Sequence, residues 1–184
     1  LRANFKKKTY LLKMNIEIFQ FDEHHLTELT ALSLQTFIDG FQKVTNPEPF
    51  QNYIVKAFAT ETMREEITHP QAVFYGLRVS GELAGYWKLR WDRYTDFNAP
   101  KPMLELQRIY FLEKYWSQGL GKNALQWIEQ FAKDHSFKSV ILLAYTENHA
   151  ARRFYFREGY RDIGRADFQF GGEIHKDFVM CKNL

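Results

Sequence analysis

Ser117-Gln118-Gly119-Leu120-Gly121-Lys122 is the stretch whose residue types and spacing speak most directly of chemistry. Two glycines one residue apart allow a tight turn and a close backbone approach by a ligand. An amphipathic segment follows at once, so Gly119 to Lys122 lie where a helix begins. The first turn of a helix offers unpaired N–H groups and the positive end of a dipole, which together bind anions. Lys122 adds a cation. The turn is therefore read as an anion site made of Ser117, Gln118, Gly119, Leu120, Gly121 and Lys122.

Three phosphate-bearing ligands suit such a turn. A mononucleotide P-loop follows G-x-x-x-x-G-K-[ST]. Here one residue separates the glycines and Asn123 follows Lys122, which excludes it. Residues 119–124 also match the dinucleotide pattern G-x-G-x-x-A, with Glu147 about 26 residues beyond Gly121. Yet only about 60 residues follow the turn and they end in a hairpin, so a doubly wound sheet has no room to form. The pyrophosphate of coenzyme A is the third ligand, and it is retained.

Glu105 is the second chemical candidate. It lies two residues before Gln107 in a strand, so alternation puts both on one face. Gln107 cannot take a proton, which narrows the choice of a general base, acting directly or through a water, to Glu105; the other reading is a charge on an exposed strand face. The six His residues show no metal spacing, and no metal is expected. The single cysteine, Cys181, excludes a disulfide framework and a four-Cys zinc site, and is read as a buried core thiol.

The elements that must position these residues follow from hydrophobic period. Asn15 to Phe21 reads as a strand. Asp22 caps a helix reaching about Ile38. Phe50 to Phe58 suggests a second helix, and Thr60 caps a third through Ile67. Ala72–Val79 and Leu83–Trp91 flank Ser80-Gly81 as a hairpin. Leu104 to Leu112 is a strand, Leu120 to His135 an amphipathic helix, and Val140 to Ala144 a short apolar run typical of a central strand. His149 to Glu158 is a helix ended by Gly159. Tyr160–Phe170 and Ile174–Met180 flank Gly171-Gly172 as a second hairpin. The order predicts an α/β fold with one mixed sheet, antiparallel at its edges, one parallel βαβ unit in the middle, and flanking helices.

Residues 148–160 run Asn148-His149-Ala150-Ala151-Arg152-Arg153-Phe154-Tyr155-Phe156-Arg157-Glu158-Gly159-Tyr160. With the glycine turn, this resembles the Gcn5-related N-acetyltransferase superfamily, in which a strand, a Q/R-x-x-G-x-G/A turn and a helix precede an N-x-x-A-x-x-F-Y-x-x-x-G-F/Y helix. The resemblance implies the acyl-CoA N-acyltransferase fold from Met14 to the C-terminus and acetyl-CoA as co-substrate. It implies that Tyr155 protonates the departing thiolate. It also implies that the main chain at Ile109, Tyr110 and Phe111 meets the pantetheine arm, and that Asn148 and Ala151 lie on the coenzyme. Asn148 is equally a plausible helix N-cap. Arg157 and Arg152 are within reach of the phosphates. One departure stands out: the first position of the turn pattern, Gln or Arg in the superfamily, is Trp116, and Gln118 or Lys122 is expected to compensate.

A narrower resemblance joins Leu32–Phe41, Asn46-Pro47-Glu48, Ala57-Phe58 and Leu104–Tyr110 to the bacterial PaiA-type spermidine/spermine N-acetyltransferases. It implies a polyamine acceptor. The other acceptors considered are a protein N-terminus, an amino acid and an antibiotic amine. A non-catalytic acyl-CoA sensor is the reading of a different class. Asp39, Glu48, Asp92, Asp96, Tyr94 and Trp91 are available to hold a cation.

Charge sharpens this picture. The chain has 184 residues and a formal charge of +3. Residues 1–13 hold five of its 25 basic residues and no acid, so the remainder carries 20 basic against 22 acidic residues, a net −2. The leader has no apolar core or cleavage site of a signal peptide. It is read as an extension outside the fold rather than as a basic arm, with residues 14–184 as one domain. No run of apolar residues is long enough to span a bilayer. The expectation is a cytoplasmic enzyme acting on a small-molecule amine, with neither nucleic acid nor membrane as partner, and with a homodimer allowed.

Overall fold

Alternation of Ile16 and Ile18 with polar neighbours produces the first strand, β1 (Ile16–Gln20). Asp22 then closes a 3-10 turn over Glu23–His25: its Oδ1 accepts from His24 N–H at 2.9 Å, and its own N–H donates to His25 Nδ1 at 3.3 Å. Three helices follow, α1 (Leu26–Phe41), α2 (Pro47–Ala57) and α3 (Thr60–Ile67). Thr60, expected as a cap, is the first helical residue of α3. The cap position is Ala59, extended and without a side-chain bond. The computed structural model describes residues 15–42, 46–94 and 97–184. The leader, Met14 and the candidate Asp96 lie outside the described residues.

The later elements are β2 (Ala72–Val79), β3 (Glu82–Arg90), β4 (Met103–Phe111), α4 (Leu120–Asp134), β5 (Ser139–Ala144), α5 (His149–Arg157), β6 (Arg161–Phe170) and β7 (Glu173–Asn183). This is the expected order. The seven strands form one sheet in the order β1-β2-β3-β4-β5-β7-β6. Only β4 and β5 run parallel, joined through α4, and they pair from Met103↔Ser139 to Glu105↔Ile141 and no further.

One irregularity decides which side chains reach the site. Lys88 pairs with Arg108 and Leu89 with Leu106, so Gln107 has no opposing residue on β3. An extra residue of this kind bends a strand and reverses the alternation of its faces. Leu104 and Leu106 before the bulge, and Ile109 and Phe111 after it, therefore share one face. Glu105, Arg108 and Tyr110 share the other.

Each face is covered by helices. On the first, Leu120, Ala124, Leu125, Ile128 and Ala132 of α4 pack on Trp87, Leu104, Val140 and Leu142. Their three- and four-residue spacing makes the apolar stripe. On the second, Leu29 and Phe37 of α1, Phe50 of α2 and Met63 of α3 pack on Phe74 and Tyr86. Truncating a fully buried Leu in such a core costs about 2–5 kcal/mol.

Candidate active site

Beyond Glu105 and Ile141, β4 keeps its bonds to β3 and β5 keeps its bonds to β7, but the two strands part from each other. Leu112 N–H donates to Ala84 C=O at 2.9 Å. Antiparallel alternation then directs the main-chain groups of Tyr110 toward β3 as well. The N–H and C=O of Ile109 and Phe111 consequently face the gap. A broad cleft opens there, walled by Ile109, Phe111, the Gly119–Lys122 turn, Asn148, Ala151, Tyr155 and Arg157. Tyr110, whose main chain is directed toward β3, is also on its wall.

At one end of this cleft sits the start of α4. Gly119 is the N-cap with φ +89 and no side chain to cap the helix, and Ser117 before it has φ +61. The first intrahelical bond runs from Asn123 N–H to Gly119 C=O at 3.2 Å. The N–H groups of Leu120, Gly121 and Lys122 thus have no partner within the helix. The first turn holds no acid. It holds Lys122, a cation at the positive end of a dipole, which is an unfavourable placement unless an anion joins it. Lys122 Nζ lies 3.6 Å from Glu158.

Gln118 is turned away: its Nε2 donates to Lys114 C=O at 2.7 Å, and it is absent from the cleft wall. Asn148 caps α5, its Oδ1 accepting from Ala151 N–H at 3.0 Å, and still lies on the cleft. Arg157 is exposed beside it. Arg152 is committed elsewhere, bonded to Asp162 with its guanidinium 3.7 Å from the centre of the Phe178 ring. Trp116 does offer a polar contact: its Nε1–H donates to Phe111 C=O at 2.7 Å, and the residue is 44% exposed at the cleft mouth.

Tyr155 lies on the cleft from α5, its ring against Phe154 and Tyr160. Its phenol makes no hydrogen bond to another described residue. Burial pushes its pKa up from the ordinary phenol value, so at neutral pH it holds its proton.

A second cavity lies on the opposite face of the sheet. Phe41, Gln107, Arg108, Tyr110, Leu143 and Tyr145 line both spaces, so the two meet at the parting of β4 and β5. Its walls are aromatic: Phe37 from α1, Tyr53 from α2, and Phe168 and Phe170 from β6. Glu105 is buried here at 4% exposure, with Oε1 3.4 Å from Arg93 Nη1 and Oε2 without a partner. Burial pushes its carboxyl above the usual range, against the pull of Arg93, Arg90 and Lys88. Asp177 from β7 is buried at 5% exposure, with Oδ1 also without a partner. Burial raises its pKa too, opposed by His175 and a backbone bond from Thr146.

Beneath this cavity, Arg108 is held by two bonds to Glu66, at 2.6 and 2.9 Å. Lys88 Nζ lies 3.1 Å from the same carboxylate and is fully buried. Burial pushes Lys88 down to about 8. Among the described residues no group of three or more His, Cys, Asp or Glu side chains is arranged to hold a metal. No described helix is long and apolar enough to cross a membrane.

Residues 35–160 match the family model for the GNAT family of acetyltransferases. An uncharacterized N-acetyltransferase from the pepI 3′ region of Lactobacillus delbrueckii subsp. lactis is 34% identical over 170 residues, which is 92% of this chain and 98% of that one. An uncharacterized N-acetyltransferase of Mycobacterium bovis is 25% identical over 157 residues, 85% of this chain and 96% of its own. Among solved structures, a PaiA N-acetyltransferase from Thermoplasma acidophilum in complex with coenzyme A shares the fold. Its TM-score is 0.74 at 20% identity, over 93% of this chain and 100% of that one. The chain belongs to the GNAT acetyltransferase family, whose members are N-acetyltransferases.

Several wall residues escape the sequence reading. Of the acids available in the sequence to hold a cation, Asp39 instead accepts from Gln35 Nε2 at 2.7 Å, and Asp92 is paired with Arg90 at 2.7 Å. Glu48 is exposed on α2, and Trp91 lies near Phe137. Tyr94 packs beside the cavity against Phe97. Asp177, not among them, lines the cavity. Its one signal in the sequence is a carboxylate set directly before the apolar run Phe178–Cys181.

Proposed function

We propose that the chain is a cytoplasmic enzyme that moves acetyl from acetyl-CoA directly to a primary amine, a polyamine such as spermidine or spermine. One observation carries the amine. Three buried oxygens without partners, Glu105 Oε2, Gln107 Oε1 and Asp177 Oδ1, belong to residues of the same cavity wall, and all three are acceptors. A buried acceptor left without a donor costs about 1–3 kcal/mol. Ammonium groups bring donors and positive charge to such acceptors, and the surrounding rings attract that charge through their faces.

The cleft fits the coenzyme. The outward N–H and C=O groups of Ile109 and Phe111 suit an amide-bearing arm laid along β4 as an added strand. The uncapped start of α4, with Lys122 and Arg157, suits the pyrophosphate. Bound there, the coenzyme supplies an activated acetyl thioester. Glu105, directly or through a water, takes a proton from the ammonium, whose ordinary pKa is about 10. The freed amine nitrogen forms the new N–C bond as the C–S bond breaks. Tyr155 gives its proton to the departing sulfur, and the second proton, lost from the nitrogen as the amide forms, restores the phenol through solvent. Cys181 packs on Met103 and Ile141 in the core and lines neither cavity, which supports transfer without an acyl-enzyme.

A second reading draws on Arg93 and Arg108 in the wall, which would suit an acceptor bearing a carboxylate, such as an amino acid. Both guanidiniums already face carboxylates, Glu105 and Glu66, and for that reason the polyamine is preferred. Release of free thiol from acetyl-CoA is to be followed across polyamines, amino acids and peptides. Spermidine or spermine is expected to give the highest kcat/KM. Turnover confined to amino acids supports the second reading instead.

A further inference from the structure

Asp177 takes no part in the steps above, yet it lines the same cavity, and one of its oxygens is buried without a partner. Its place in the sheet separates it from Glu105. Glu105 is level with Ile141 of β5, whereas Asp177 lies one residue past the last β5–β7 pair, Ala144↔Phe178, and so is level with Tyr145. That is four residues along the strand direction, about 13 Å, and two strand spacings across, about 10 Å. The Cα atoms are thus about 16 Å apart, and side chains reaching inward leave roughly a nanometre between the carboxylates. One ammonium cannot hydrogen-bond both, because each bond needs about 2.7–3.2 Å.

Their order along the cavity is also set. A pyrophosphate at the start of α4 lies beyond the C-terminal end of β4. An arm running back over Phe111 and Ile109 brings its far end toward Gln107, beside Glu105. The reacting nitrogen therefore belongs at Glu105, and Asp177 is the distal group. Rings surround that distal position. His175, two residues before Asp177 on the same strand face, has its ring centre 5.2 Å from that of Tyr145 and 5.4 Å from that of Phe170.

We infer that Asp177 holds a second ammonium of the acceptor, and so selects amines whose cationic nitrogens lie about a nanometre apart. This rests on the reading of the cavity as an amine site. A monoamine would satisfy Glu105 and leave Asp177 buried and unpaired. A short diamine would reach only one carboxylate. A long diamine or a triamine would span both.

The test compares α,ω-diamines of increasing length with n-alkylamines of the same length, read as kcat/KM for thiol release. The wild-type chain is expected to favour long diamines over the matched monoamines by tenfold or more, with short diamines showing no such advantage. Asp177→Asn, which keeps the shape, should bring the diamine-to-monoamine ratio to about one, with the loss appearing in KM. Equal use of monoamines and diamines by the wild-type chain overturns the inference, whatever the variant does. So does a ratio that Asp177→Asn leaves intact. Absence of turnover with every amine overturns the amine reading itself, a different result from turnover without length preference.

Discussion

The indole N–H of Trp116 is bonded to the carbonyl of Phe111 at 2.7 Å. It ties the end of β4, where an amide-bearing arm would lie, to the turn that would take the phosphates. It also occupies one of the four main-chain groups that Ile109 and Phe111 direct into the cleft. Trp116→Phe keeps the ring and removes the donor. A neutral hydrogen bond is worth about 1 kcal/mol, so coenzyme A should bind roughly fivefold more weakly. Calorimetric titration checks this, and an unchanged Kd would show that the bond positions nothing.

Tyr155 holds its proton because burial raises its pKa. Tyr155→Phe removes the donor while keeping the ring that packs on Phe154 and Tyr160. Loss of a positioned acid typically costs 10²–10⁴-fold in rate. The expected loss is about 10²-fold, appearing in kcat more than in KM, under steady-state kinetics with saturating amine.

Glu105 must be ionised to accept a proton, and burial raises its pKa above the ordinary carboxylate value of about 4.3. Activity should therefore fall as pH drops through a value higher than that. Arg93, whose charge favours the carboxylate, opposes the rise. Arg93→Gln removes that pull, so the acid limb of the kcat/KM profile should move to higher pH. A limb that stays in place, or moves down, would remove Glu105 from the role of base.

Glu66 is the single carboxylate between two buried cations, 2.6 Å from Arg108 and 3.1 Å from Lys88. Burial pushes its pKa up, but the two cations outweigh this and hold it below the ordinary value. Its contribution is present above that ordinary value and fades as pH falls through the lowered one. Glu66→Gln leaves two buried charges uncompensated, a change that costs about 3–5 kcal/mol. Urea unfolding at neutral pH should show it, with the gap to wild type narrowing in acid.

Most of the framework is legible in the residues themselves. The period of α4, the apolar run of β5 and the Ser80-Gly81 turn each depend on near neighbours, and each appears where expected. The glycine turn and the Asn148–Tyr160 stretch, from which the coenzyme side is read, are legible for the same reason. The cavity on the opposite face of the sheet is different. Phe37, Tyr53, Phe170 and Asp177 come from four separate elements and meet only after the sheet has formed. The bulge at Gln107 carries no residue signature, yet it turns Arg108 and Tyr110 toward that cavity. Trp116 reads as a lost polar contact because its partner, a main-chain carbonyl, has no side-chain identity to read.

Acetyl transfer from acetyl-CoA to an aliphatic amine leaves a product of defined mass. Mass spectrometry of a reaction with acetyl-CoA and spermidine, run beside a thiol assay, tests it most directly. Spermidine carrying one added acetyl group is expected, formed one for one with free thiol and strongly reduced in Tyr155→Phe. Coenzyme A binding without an acetylated product from spermidine or any other amine would contradict it.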